Sequence, residues 1–104
     1  MDHALERGIN LFDTAEAYAA GRSEEVIGQW IADRQTRDKI VLATKVAGAQ
    51  TREHILASAQ DSLRRLQTDH IDLFKVHNWD AETPLEETLA ALNTLVGQGK
   101  VRYI

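Results

Sequence analysis

The sequence predicts an α/β fold in which parallel strands alternate with helices. Four short apolar segments alternate with segments that have helical periodicity. Asp13, Lys45 and His77 follow one another at intervals of 32 residues, each near the end of an apolar segment. Parallel α/β proteins place their chemistry at the C-terminal ends of strands. This regular spacing favours a (β/α)8 TIM barrel over a doubly wound sheet.

The first elements are a helix end, a strand and a helix. A glycine at position 8 predicts the end of a helix, and the apolar residues 9–12 predict a strand buried on both faces. Ser23 is the expected N-cap of the next helix, with Glu24 and Glu25 in its first turn, where the helix dipole favours negative charge. Its buried stripe is expected to contain Val26, Ile27, Trp30 and Ile31.

Two further strands enclose the next helix. Residues 40–46 predict the second strand, with Lys45 near its tip, and residues 71–77 predict the third, ending at His77. The helix between them is expected from Thr51 to about Leu66, with a solvated arginine pair at 64–65 and a buried stripe of Leu56, Ala59, Leu63 and Leu66. Alternation along the third strand puts Lys75 on the face of Ile71 and Leu73, where an enclosed ammonium would be costly.

The last elements have the strongest local signal. Thr83, Pro84 and Glu86 predict a capping box, with the threonine as N-cap and the proline at the first helical position. The expected buried stripe is Leu85, Leu89, Leu92 and Leu95 or Val96, and Gly97 or Gly99 ends the helix. Residues 101–104 begin a fourth strand.

Composition excludes several classes of protein. The 104 residues carry 12 basic and 16 acidic side chains, a net charge of −4, which shows no electrostatic footprint for nucleic acid or an anionic membrane. The chain has no cysteine, so it has neither a disulfide framework nor a thiolate metal site. No apolar run approaches a membrane span, and the N-terminus lacks the pattern of a signal peptide. A cytoplasmic protein is expected.

Four polar residues form a chemically coherent set for carbonyl reduction. Reducing a carbonyl with hydride requires a proton on its oxygen, and a tyrosine such as Tyr18, with an ordinary pKa near ~10, is a poor donor at neutral pH. A lysine ammonium stabilises the phenolate, and a carboxylate holds the lysine in place. Lys45 and Asp13 supply these groups, while His77 orients the substrate oxygen and stabilises its developing charge.

The segments GINLFDTAEAY, GRSEEVIG, ATKV and DSLRRLQTDHIDLFKVHNWD resemble the aldo-keto reductase superfamily along essentially the whole chain. This resemblance implies a (β/α)8 barrel that binds NADPH, less often NADH, without a Rossmann fingerprint. It also implies that Tyr18 is the proton donor and that Asp13, Lys45 and His77 complete the catalytic set. Trp79, with His77, would contact the substrate, and Asp13 and Asn78 would contact the cofactor.

The resemblance further implies that residues 1–104 are one partial barrel domain lacking the first strand and the C-terminal half. Most cofactor contacts of the family come from strand ends that this sequence does not contain. An open barrel exposes sheet edges and apolar surface, so self-association is expected. A small-molecule carbonyl compound is the expected substrate.

Two other interpretations stay open. His77 and Asp80 resemble a metal pair, but two ligands without a third are weak, and no metal is expected. The alternative to an enzyme is a non-catalytic fragment or an interaction or regulatory module derived from an aldo-keto reductase. Cofactor binding separates the alternatives, because hydride transfer requires the nicotinamide beside the carbonyl.

Overall fold

The computed structural model describes residues 2–15, 21–76 and 82–104. Strands and helices alternate in the described ranges, as α1 Asp2–Glu6, β1 Leu11–Asp13, α2 Arg22–Arg34, β2 Val41–Val46, α3 Arg52–Leu66, β3 Ile71–Val76, α4 Leu85–Gly97 and β4 Val101–Tyr103. A 3₁₀ turn, Arg37–Lys39, precedes β2. Each strand pairs in parallel with the next, which gives the order β1-β2-β3-β4. The predicted parallel α/β fold is confirmed.

The core lies between the sheet and the helices. Right-handed crossovers between sequential parallel strands place the helices on one face of the sheet. The Phe12 and Trp30 rings, on β1 and α2, pack with their centroids 5.3 Å apart. The most deeply buried large side chains include Leu42, Ile55, Leu66, Phe74 and Leu95. The sheet is therefore fixed in place by a continuous apolar layer on its helical side.

Helices α2 and α3 approach each other at the level of their backbones. A Cβ atom built on Gly28 of α2 would lie 2.2 Å from the carbonyl oxygen of Arg65 in α3. Only a glycine fits such a contact, because the neighbouring atoms are backbone and cannot rotate away. This close contact fixes the position of α2, the helix that follows β1 in the chain, relative to α3.

The first strand differs from the sequence prediction. β1 begins at Leu11 rather than at residue 9, and the side chains of Ile9 and Leu11 are exposed. The expectation of burial on both faces is therefore wrong. The physical reason is that β1 is an edge strand of the described sheet and Leu11 points to the face opposite the helices.

The N-cap residues of two helices, and some residues of their expected buried faces, differ from the sequence prediction. α3 begins next to the predicted start at Thr51, which is its N-cap, with the Thr51 side chain accepting from the backbone N–H of His54 at 3.3 Å. The caps of α2 and α4 are instead Gly21, at φ +90°, and Pro84. Ser23 and Thr83 are thus not the N-caps. The predicted stripes of α2 and α4 include exposed side chains, namely Val26, Leu85, Leu89 and Val96.

The face of the sheet opposite the helices carries the candidate site, and we call it the open face. Side-chain alternation and register place on it Leu11, Asp13, Val41, Ala43, Lys45, Ile71, Leu73, Lys75, Val101 and Tyr103, of which Ala43, Ile71 and Val101 are buried. Leu11, Val41 and Tyr103 are exposed there. In the described ranges, no helix is both long and apolar enough to cross a membrane.

Candidate active site

The carboxyl ends of β1 and β2 bring Asp13 and Lys45 together. Asp13 is the last residue of β1 and is in register with Ala43, so Lys45 lies one pleat further along β2 on the same face. The Nζ atom of Lys45 is 3.3 Å from each carboxylate oxygen of Asp13. The predicted pairing of these two strand ends is present in the fold.

The Lys45 ammonium has a second acceptor next to the first. It donates to the backbone carbonyl of Thr14 at 3.0 Å, and the amide of Thr14 donates to the carbonyl of Ala43 at 2.9 Å. The side chain of Lys45 is 15% exposed, while that of Asp13 is 46% exposed. Lys45 is therefore an oriented cation whose head lies at the strand ends.

A second lysine reaches the same carboxylate. Lys75 of β3 is the register partner of Lys45, and its Nζ atom is 3.6 Å from Oδ1 of Asp13. Its side chain is 39% exposed, because the open face admits solvent. Strand alternation in the sequence predicts this face for Lys75 but does not identify an ion-pair partner. In the structure, Asp13 is an ion-pair partner of Lys75 as well as of Lys45.

The remaining predicted site residues lie outside the described residues. These are Tyr18, in the segment after β1, and His77, Asn78, Trp79 and Asp80, in the segment after β3. Their roles remain predictions. β3 ends at Val76, and His77 is the next residue of the chain.

A buried ion pair behind the site was missed by the sequence analysis. Glu24 of α2 is fully buried; its Oε1 accepts from Nη2 of Arg65 at 2.6 Å and its Oε2 accepts from the Thr44 hydroxyl at 2.6 Å. Glu24 lies in the first turn of α2, as predicted, but its carboxylate is buried and paired, and the expectation that Arg65 is solvated is wrong. A glutamate in a first helical turn gives no sequence signal that distinguishes burial from exposure.

The buried pair connects to the strand ends. Thr44 directly precedes Lys45 in β2, and the hydroxyls of Thr14 and Ser23 are 2.7 Å apart. The start of α2 is thus bonded to the loop that carries the acceptor of Lys45 and, through Glu24, to β2. This network fixes the two strand ends relative to each other.

A different ion pair stabilises the other end of the sheet, at the amino ends of the strands. Asp72 accepts from Nη1 of Arg37 at 3.0 Å and from the amide of Leu42 at 2.8 Å, and Arg37 also donates to the carbonyl of His70. A hydrogen bond from the His70 ring lowers the pKa of the Asp69 carboxyl. These groups lie at the amino ends of the strands, where polar contacts in parallel α/β folds serve stability.

The fold and the site define the class of protein. A parallel sheet with crossover helices on one face and a charged pair at its strand ends is the arrangement of a (β/α) barrel protein with its chemistry at the carboxyl edge. Within that class, the chain belongs to the aldo/keto reductase family, whose sequence model matches residues 1–104.

Individual relatives agree with this assignment. The chain is 41% identical to norsolorinic acid reductase B of Aspergillus parasiticus, covering 100% of this chain and 31% of that protein. It is 43% identical to the aldo-keto reductase YhdN of Bacillus subtilis, covering 97% of this chain and 33% of YhdN. It superposes on the aldo-keto reductase of Klebsiella pneumoniae in complex with NADPH with a TM-score of 0.90 at 40% identity, covering 98% and 36% of the two chains.

The chain matches only part of each relative. The chain spans about a third of the length of these relatives. Solved structures similar to it are aldo-keto reductase (β/α)8 barrels, so the four-stranded sheet corresponds to part of such a barrel. The predicted partial barrel is confirmed.

Proposed function

We propose that residues 1–104 carry the proton-transfer side of an NADP(H)-dependent reductase that converts an aldehyde or ketone to an alcohol. The observation that supports this most directly is the Asp13–Lys45 pair, with Nζ 3.3 Å from both carboxylate oxygens at the strand ends. Family membership supports the reaction class. The site residues are assigned by motif as Asp13, Tyr18, Lys45 and His77.

In this proposal, the Tyr18 hydroxyl donates its proton to the carbonyl oxygen of the substrate. The phenolate that remains is stabilised by the Lys45 ammonium, which is held by Asp13 and by the carbonyl of Thr14. His77 donates a hydrogen bond to the same substrate oxygen and stabilises its developing negative charge. Trp79 borders the substrate pocket.

The donor and acceptor groups present fit a nicotinamide nucleotide. The carboxylate of Asp13 is half exposed, and its oxygens accept hydrogen bonds, as a ribose hydroxyl requires. Asp13 and Asn78 are the residues that would hold the cofactor from this part of the chain. When bound, NADPH supplies the hydride. NADPH is favoured over NADH because the Klebsiella pneumoniae relative was solved with NADPH.

A hybrid protein tests this proposal. Residues 1–104 replace the segment of YhdN to which they align, so that the rest of the barrel comes from the relative. We expect the hybrid to oxidise NADPH in the presence of a simple aldehyde. Lys45→Met in the hybrid is expected to lower kcat about a hundredfold or more, since an oriented cation at the developing anion is lost.

The matched control is Lys39→Met, which removes the same charge from the exposed 3₁₀ turn before β2. It is expected to leave kcat within about twofold of the parent hybrid, because surface substitutions have small effects. A folded hybrid without NADPH-dependent reduction contradicts the proposed function. Equal rates for Lys45→Met and the parent contradict the role given to Lys45.

We also propose that the 104-residue chain self-associates through its open face and sheet edges. Leu11, Val41 and Tyr103 are exposed on that face, and β1 and β4 are the edges of the described sheet. Exposed apolar strands with free backbone groups pair with other chains. Sedimentation velocity at micromolar concentration is expected to show species larger than the 11.7 kDa monomer.

A pair of lysine substitutions tests the surface involved. Leu11→Lys together with Tyr103→Lys is expected to shift the chain toward the monomer, because charged residues protect edge strands. Val26→Lys, at an exposed apolar site on α2, is the control and should leave the distribution unchanged. A monomeric wild-type chain, or an equal response to the control, contradicts this surface.

A further inference from the structure

The open face holds two lysines directly opposite each other. Lys45 and Lys75 are register partners on β2 and β3 and point to the same face. Like charges at directly opposite positions of neighbouring strands destabilise a sheet. The arrangement therefore requires a group of opposite charge nearby. The carboxylate of Asp13, on β1, contacts both ammonium groups: that of Lys45 on the adjacent strand β2 and that of Lys75 on β3.

The distances describe an unequal sharing of that carboxylate. Nζ of Lys45 lies 3.3 Å from both oxygens of Asp13, whereas Nζ of Lys75 lies 3.6 Å from Oδ1. Lys75 is also the more exposed of the two lysines, so its contact with Asp13 is screened by water. The contribution of Lys75 is therefore to charge and orientation more than to the stability of the fold.

We propose that Lys75 is a positioning residue of this site. Its ammonium shares Oδ1 of Asp13 with Lys45 and keeps that carboxylate in contact with both lysines. Two ammonium groups and one carboxylate leave the cluster net positive. Without Lys75, the carboxylate neutralises Lys45 alone. With it, more of the positive field of Lys45 is directed at an anion beside the strand ends.

This inference rests on the proposed function for its catalytic meaning: the phenolate of Tyr18 is the anion that benefits. The geometry itself involves Asp13, Lys45 and Lys75 alone, and these are all described residues. It can therefore be measured without cofactor, substrate or turnover.

NMR of the hybrid, isotope-labelled at aspartate and lysine and free of cofactor, provides the test, because its closed barrel does not leave the open face available for self-association. The probes are the chemical shifts of the Asp13 carboxyl carbon and of the Lys45 ε-methylene, both at neutral pH. Lys75→Gln is expected to shift both signals, while Lys75→Arg keeps the cation and restores the wild-type positions. Asp13→Asn is expected to shift the ε-methylene signal of Lys75 together with that of Lys45.

A charge-matched control separates local from global effects. Lys39→Gln removes one positive charge from the exposed turn before β2 and should leave the Asp13 and Lys45 signals unchanged. The proposal is overturned if Lys75→Gln leaves both signals in place, or if Lys39→Gln shifts them equally. Failure of the hybrid to reduce aldehydes would count against the proposed function and leave this result unaffected.

Discussion

Tyr18→Phe in the hybrid is expected to lower kcat by about 10² to 10⁴, the usual contribution of a positioned proton donor. The substitution removes one hydroxyl and keeps the ring, so KM for the aldehyde and the affinity for NADPH should change little. The loss therefore falls on the step in which the carbonyl oxygen takes its proton. Steady-state kinetics and a fluorescence titration with NADPH measure the two quantities separately.

Lys39→Met in the hybrid is again the control for this prediction. Lys39 lies on the exposed 3₁₀ turn before β2, away from the carboxyl ends of the strands, so this variant should leave kcat within about twofold. Equal rates for Tyr18→Phe and the parent hybrid would remove Tyr18 from the proposed mechanism. A large rise in KM without a fall in kcat would assign it to substrate binding instead.

The order of elements and the strand-end pair were predictable because they depend on local patterns. Periodicity located the helices and strands to within about two residues, and the 32-residue interval placed Asp13 and Lys45 on neighbouring strands at the same edge. When neighbouring parallel strands are joined by helical crossovers, their C-terminal ends lie side by side. The ion pair followed from this topology.

The errors concern which face of an element is covered. Leu11 and Leu89 are apolar and periodic, yet both are exposed, because burial depends on what packs against a face and not on the residue alone. Glu24 shows the converse, since a charged residue near a helix start is fully buried once α3 brings Arg65 to it. Long-range pairs of this kind have no signature in local sequence.

Lys75 is an intermediate case. Strand alternation placed it on the correct face, but its partner lies two strands away, on β1. No rule based on spacing within β3 finds that partner. The cost that the sequence analysis attached to an enclosed ammonium does not arise, because Lys75 is 39% exposed and its Nζ atom lies 3.6 Å from the Asp13 carboxylate.

Glu24→Gln is expected to lower the free energy of unfolding of the hybrid by about 3 kcal/mol. Glutamine keeps the size and one acceptor oxygen of Glu24, but leaves the Arg65 guanidinium, only 19% exposed, without its carboxylate. The loss is large because the remaining charge is partly buried. Urea denaturation followed by circular dichroism measures it, with Glu25→Gln, exposed on the same turn, expected within about 0.5 kcal/mol of wild type.

The double variant Glu24→Gln, Arg65→Gln separates the pair from its surroundings. If the cost arises from an uncompensated guanidinium, removing that charge as well should recover part of the stability, so the two single losses will not add. Strict additivity would contradict the ion pair as the cause.

Because Thr44 binds Glu24 and directly precedes Lys45, the Glu24→Gln variant should also shift the Lys45 ε-methylene NMR signal under conditions where the protein is still folded. A destabilised chain with an unchanged Lys45 signal would show that this pair supports the fold without positioning the site.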